Sequence, residues 1–344
     1  MRFEEILKFL KEYDGEEISL MEVCGTHTAA IAREGIRGLI SRKIKLVSGP
    51  GCPVCVTVSS YIDRLCELAL ANGHEVVTFG DMMRVPGSAG SLLDAKARGG
   101  RVHMAYSPFD TLKSARENPD TTYVFAAVGF ETTAPIYALM IEEALRDNIQ
   151  NIRFLMSVKT MPAAIEWICT QKSGIAGMIA PGHVSAIIGS AAFAPLAQKY
   201  ALPFAVAGFE GKDILAAIYA LVKLKAQGKV LNLYPSVVRE EGNPRAQEQL
   251  ARIFEPGEAC WRGMGGIPGS GLYLREEFMR FDAGSRGLAD DAETGCMCGE
   301  VLTGRDPVEC PLFGKICTPD APRGACMVSL EGACHSRYTY ERIG

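Results

Sequence analysis

The chain has 344 residues, with 36 basic and 40 acidic side chains and a formal net charge of −4. That length exceeds one ordinary domain and suffices to bury a large core, so two or three units are expected. The balanced charge, with no block of one sign, argues against nucleic acid or an anionic membrane as partner and favours a small molecule or a protein.

The opening stretch MRFEEILKFLKEYDGEE is acidic where a secretory leader needs a basic segment followed by an apolar run, so a cytoplasmic location is expected. LMEVCGTHTAAI (Leu20 to Ile31) then sets Cys24 and His27 three residues apart. If a helix starts there they share a face and suit a transition metal or mutual activation. The plainer alternative is that Thr26 or Thr28 caps the helix while Cys24 packs and His27 is satisfied. KLVSG reads as a strand leading into GPGCPVC, where Cys52 and Cys55 lie on a turn whose N–H groups can lower a thiol pKa. A redox dithiol, half of a metal site and a tight turn with incidental thiols all fit this stretch. YIDRLCELALANG reads as a helix holding Cys66, and EVVTFG as a strand followed by Asp81 and Arg84. TYVFAAVGF is a strand followed by Glu131; acids in such places more often cap the next helix than catalyse. APIYALMIEEALRD is helical, and IRFLMSV is a strand running into KTMP. Residues 173–198 carry no charged side chain but hold Pro181, His183 and Pro195, which reads as a buried strand, loop and helix and not a membrane span. FAVAGF is a further strand.

This alternation predicts an α/β fold with mostly parallel sheets, whose ligands gather at the carboxyl ends of strands. Four stretches recur in order at a spacing of roughly 128 to 135 residues: LMEVCGTHTAAI and LMSVKTMPAAI, LVSGPGCPV and MIAPGHVSA, VVTFGDMM and AVAGFEGKD, GGRVHMAYSP and QGKVLNLYPS. Two related halves, residues 1–148 and 149–240, are therefore expected to face one central cleft. CGTHT, GPGCPVC and FGDMM should line it from one side, and KTMP, APGHVS and GFEGK from the other. His183 takes the place of Cys52 in this repeat.

Past EEGNP (Glu240 to Pro244), read as a linker, glycine, proline and cysteine rise. Residues 241–344 are expected to form a small C-terminal region that needs a metal centre for stability. GMGGIPGSG there is not read as a dinucleotide loop, since no strand is recognised before it. Six of the twelve cysteines, Cys296, Cys298, Cys310, Cys317, Cys326 and Cys334, fall in this region. Without a secretory leader they point to metal or redox chemistry, and their density suits zinc or an iron-sulfur cluster with two thiols left over. Cys66, Cys169 and Cys260 stand apart and are read as packed thiols.

Taken as a set, MEVCGTHT, SGPGCPVC, FGDMMRVPGS, VGFETTAP, APGHVSAIIG, CPLFGKICTP and GACMVSLEGAC resemble the HypD family of hydrogenase maturation factors, from about residue 20 to residue 340. The resemblance implies a scaffold for the iron of [NiFe] hydrogenases, which carries two cyanides and one carbon monoxide. It implies a HypC-like chaperone as co-scaffold and a HypE-like cyanide donor with HypF upstream. By motif, Cys24 is the iron ligand with His27 beside it, Cys52 and Cys55 are a redox pair, and Asp81 and His183 line the cleft. The family's [4Fe-4S] cluster maps onto Cys296, Cys310, Cys317 and Cys334, with Cys298 and Cys326 as an adjacent redox pair. The rival is a stand-alone iron-sulfur thiol-disulfide reductase, in which Cys24 has no metal role.

Overall fold

The computed structural model describes residues 2–171, 174–290 and 295–341. Its strands are β1 (Ile18–Glu22), β2 (Ile44–Ser48), β3 (His74–Thr78), β4 (Val102–Met104), β5 (Thr122–Gly129), β6 (Ile152–Lys159), β7 (Ile175–Ala180), β8 (Phe204–Val206), β9 (Val230–Asn232), β10 (Phe254–Trp261) and β11 (Gly265–Leu274). They form one parallel sheet of order β2-β1-β7-β8-β9 and a second of order β10-β11-β6-β5-β3-β4. In the second, β6, β5, β3 and β4 are parallel and the β10–β11 hairpin joins β6 antiparallel. Helices cover the sheet faces, which is why β5 is apolar almost throughout and buried from Tyr123 to Gly129. Among the described residues no helix is long and apolar enough to cross a membrane.

All six strands expected from apolar runs are present, and the uncharged stretch forms β7 and the helices Gly182–Ile188 and Ala194–Tyr200; Ser173 lies outside the described residues. The division at 148 is not the one the sheets follow. β5 and β6 flank that boundary and are hydrogen-bonded along seven residue pairs, Tyr123↔Ile152 through Gly129↔Val158. Each sheet instead takes strands from two distant stretches, residues 18–48 with 175–232, and 74–159 with 254–274. Of the repeated stretches, β1, β8 and β9 hold the order in their sheet that β6, β3 and β4 hold in theirs, while β2 lies at an edge where β7 does not.

The region after 240 is also differently built. Gly242 packs against Gly189, with its φ of +76° in the left-handed region that favours glycine, and Asn243 caps the helix Pro244–Ile253 through the N–H of Ala246. EEGNP is therefore a packed corner and not a free linker. A strand, β10, does precede GMGG, but β11 follows it where a dinucleotide loop needs a helix. Val301, Leu302, Phe313 and Met327 share one buried cluster with Met21, Val128, Phe204 and Trp261, so the cysteine-rich segment packs on the core of both sheets.

Candidate functional site

The parallel order puts CGTHT, GPGCPVC, APGHVS and GFEGK at the carboxyl ends of β1, β2, β7 and β8, all in one sheet. FGDMM, GFETT and KTMP follow β3, β5 and β6 in the other. The motifs are thus regrouped by sheet, four on one and three on the other, and not by half of the chain.

Cys24 stands at the N-cap of the helix Gly25–Arg33. Its capping support comes from below: Glu22 Oε2 accepts the Cys24 N–H at 3.1 Å and Glu22 Oε1 accepts the Thr28 hydroxyl at 2.6 Å. Ser48, paired with Glu22 across β1 and β2, donates to the same carboxyl. Thr28 therefore acts on Glu22 and does not cap the helix. Burial pushes the Cys24 thiol up to about 12, against the pull of the N–H groups of His27 and Thr26, and the charges of Glu331 and Glu22 add to the rise. A helix N-terminus ordinarily favours a thiolate, but here desolvation wins. The thiol therefore keeps its proton at neutral pH.

The GPGCPVC turn lies directly on this loop. Gly25 donates its N–H to Gly51 O at 2.8 Å and Gly49 donates to Glu22 O at 2.7 Å. Cys52 and Cys55 are disulfide-bonded and buried, 3% and 0% exposed. The same turn reaches the second sheet, where Thr57 Oγ is 3.5 Å from Ser157 Oγ and Tyr61 donates to Leu155 O. From the cysteine-rich segment, Ser329 Oγ lies 3.3 Å from Cys52 Sγ, and Glu331 Oε1 accepts the Thr26 hydroxyl at 2.7 Å. Asp81 is exposed, yet crowding of its carboxyl raises its pKa and the Glu331 charge raises it further. Cys24, Cys52, Cys55 and Asp81 are in this way gathered around residues 329–331.

His27 is fully buried and its ring is 4.9 Å from that of Phe209, on whose ring the exposed His183 stacks at 4.2 Å. His27 Nε2 lies 2.9 Å from Gly208 O. That contact fixes Nε2 as the donor and leaves Nδ1 an acceptor, buried and without a partner. Desolvation lowers the His27 pKa to about 4, so the ring is neutral. Glu131 does cap a helix, but not the one that follows it: its Oε1 accepts the N–H of Met161 at the start of Met161–Gln171.

The six C-terminal cysteines come together as two contacts and two flanking thiols. Cys296 Sγ is 3.2 Å from Cys298 Sγ, to which it donates, and Cys298 is held low by that bond and by the Cys326 N–H. Cys334 is raised well above the ordinary thiol range by its hydrogen bond with Cys326. Cys317 Sγ accepts the Arg323 N–H at 3.3 Å, and Cys310 lies near enough to act on Cys296 and Cys317. Gly324 forms a cradle in which a Cβ would stand 2.5 Å from both Cys296 Sγ and Cys298 Sγ. Among the described residues no group of three or more His, Cys, Asp or Glu converges on one position fit for a single metal ion. The donor set, soft thiols packed around a glycine cradle, fits a thiolate-held cluster in its chemistry. The pairing seen is Cys296 with Cys298 and Cys326 with Cys334, with Cys298 and Cys326 touching through backbone. Gly324→Ala is expected to part Cys296 from Cys298 and slow their cross-linking under mild oxidation, read by peptide mass spectrometry.

Glu22, Ser329, Glu331 and Lys159 escaped the sequence reading. Glu22 had a signal, a lone acid inside an apolar strand, whereas Ser329 and Glu331 meet Cys52 and Thr26 only through the fold. Lys159, 3% exposed, donates to Ser157 Oγ at 2.9 Å, and burial lowers its pKa to about 8.

Strand ends that bring thiols, imidazoles and buried acids together define an α/β protein with a cysteine-rich site. The family model HypD, the Hydrogenase formation hypA family, matches residues 2–341. The hydrogenase maturation factor HypD of Azotobacter vinelandii is 44% identical over 339 residues, covering 94% of this chain and 89% of its own. The HypD of Escherichia coli K12 is 43% identical over 336 residues, covering 94% and 90%, and that of Cupriavidus necator 40% identical over 347, covering 96% and 91%. The chain belongs to the HypD family of hydrogenase maturation factors.

Proposed function

We propose that this chain, together with a HypC-like chaperone, is the scaffold on which the iron of a [NiFe] hydrogenase receives its cyanide and carbon monoxide ligands. The observation that carries the reading is the interlock of the two thiol loops: Gly25 N–H bonds Gly51 O, so the Cys24 loop and the Cys52–Cys55 turn move as one. In this reading Cys24 gives the iron a thiolate on metal binding, and the partner's N-terminal cysteine gives a second. Glu22 holds the Cys24 backbone, the neutral His27 keeps its Nδ1 lone pair at the same end of the sheet, and His183 and Asp81 border the approach. A HypE-like protein, supplied by HypF, presents cyanide as a thiocyanate. Two electrons cleave its carbon–sulfur bond to give a thiolate and cyanide, and closing the Cys52/Cys55 dithiol to a disulfide releases two electrons and two protons. Cys296, Cys310, Cys317 and Cys334 would hold a [4Fe-4S] cluster beside Cys298 and Cys326, and such a cluster supplies single electrons when bound.

The deciding experiment is anaerobic isolation with the HypC-like partner, followed by metal analysis with infrared and electron paramagnetic resonance spectra. Bands in the cyanide and carbonyl stretching region on copurified iron are expected. Their absence in protein that still reduces disulfides favours the stand-alone reductase. Cys52→Ala is expected to abolish hydrogenase maturation in a complementation assay while leaving the cluster's visible absorbance intact; full maturation by that variant sinks the role given to the dithiol.

A further inference from the structure

The two sulfurs of the Cys52–Cys55 pair have unlike surroundings. Cys52 Sγ accepts the Cys55 N–H at 3.2 Å, and Ser329 Oγ stands 3.3 Å away. Ser329 is buried, and its oxygen already accepts the Glu331 N–H at 3.3 Å, so its one proton is free to point at Cys52 Sγ. No hydrogen-bond donor reaches Cys55 Sγ among the described residues, and Cys55 is fully enclosed. A thiolate needs donors, and a sulfur in an apolar pocket without them keeps its proton.

We infer that Ser329 is a positioning residue for the dithiol: its hydroxyl, with the Cys55 N–H, makes Cys52 the sulfur that carries the negative charge when the pair is open and leaves Cys55 the protonated thiol. This rests on the reading of Cys52 and Cys55 as a working redox pair. It gives the cysteine-rich segment a direct hold on that pair, because the hydroxyl comes from between Cys326 and Cys334. Residue 331, two positions on, hydrogen-bonds Thr26 in the Cys24 loop. One short stretch thus touches both thiol loops.

Opening the disulfide takes two electrons and two protons, which dithiothreitol supplies as it closes to its cyclic disulfide. The full chain is equilibrated anaerobically in graded mixtures of reduced and oxidised dithiothreitol, quenched with acid, and the Cys52–Cys55 disulfide is quantified by peptide mass spectrometry. Loss of a hydrogen bond to a charged sulfur should raise the reduced-to-oxidised ratio needed at the midpoint roughly tenfold in Ser329→Ala. Ser329→Thr, which keeps the hydroxyl, should restore it. Brief iodoacetamide treatment of the reduced protein should mark Cys52 before Cys55 in wild type and lose that preference in Ser329→Ala. An unchanged midpoint in Ser329→Ala, or Cys55 marked first in wild type, overturns the assignment. Should Ser329→Ala lack a melting transition, the wild-type order of alkylation and the Ser329→Thr midpoint still decide. A wild-type pair that never opens across the series refutes the redox reading itself, whereas a pair that opens with no response to Ser329→Ala refutes only the role of Ser329.

Discussion

Gly51→Ala is expected to lose more than about 3 kcal/mol of stability and to uncouple Cys24 from the disulfide turn. A Cβ built on Gly51 would lie 2.1 Å from Cys24 N, 2.4 Å from Cys24 Cα and 2.5 Å from Val23 C. All three are backbone atoms, so no side chain can swing aside. The obstruction falls between the end of β1 and the turn after β2, where Gly25 N–H→Gly51 O and Gly49 N–H→Glu22 O hold the loops together. Relief requires separating them, which breaks the first of these bonds and disturbs the Glu22 support of Cys24. Urea unfolding of the purified protein measures the stability loss, and complementation measures the functional one. Gly38→Ala is the control: nothing lies within 4 Å of its Cβ, and in the short helix Ile36–Leu39 alanine should be neutral or add roughly 0.5–1 kcal/mol. A Gly51 variant as stable as the Gly38 variant would show that the loops part at little cost.

Strand existence was readable because β2, β3, β5, β6, β7 and β8 are short apolar runs ending at glycine or a polar turn. β10 and β11 were not readable. FEPGEACW and GGIPGSGLYL carry glycine, proline and charge inside the strands, and their pairing is decided by neighbours, Gly271↔Lys159 among them, that only the fold supplies. Sheet membership escaped for the same reason. The recurrence of LMEV and LMSV marks β1 and β6 as alike, yet likeness does not say which strand each will bond, and β1 takes β7 while β6 takes β5. At the site, Cys24, Cys52 and His27 were legible as residue types with chemistry. What tunes them was not: the Ser329 hydroxyl and the Gly208 carbonyl act through contacts distant in sequence, and Glu22, although a lone acid in an apolar strand, supports Cys24 through a backbone N–H that carries no residue signature.

Glu131→Gln is expected to change the pH dependence of stability more than any other single carboxyl substitution outside the thiol loops. Burial, at 4% exposure, pushes Glu131 up to about 7 from 4.5, against the pull of its own N–H and that of Met161. Its Oε2 is buried with no hydrogen-bond partner. The folded protein therefore keeps this proton up to about pH 7, while the unfolded chain gives it up near pH 4.5. The contribution is full below the lower value and is lost as pH rises through the upper one, reaching on the order of 3 kcal/mol of relative destabilisation by pH 8. Glutamine can still accept the Met161 N–H and never takes a charge, so the variant should match wild type near pH 5 and exceed it by about 2–3 kcal/mol at pH 8. Glu22, also pushed up to about 7, titrates in the same window and leaves part of the slope in the variant. Lys159, lowered to about 8, begins to lose its proton at the upper end of the range in both proteins alike, so it cancels in the comparison. Denaturant unfolding of both proteins from pH 5 to pH 8 reads the difference directly. Parallel curves would mean that Glu131 ionises at an ordinary pH, which a carboxyl oxygen sealed from water and without a donor does not permit.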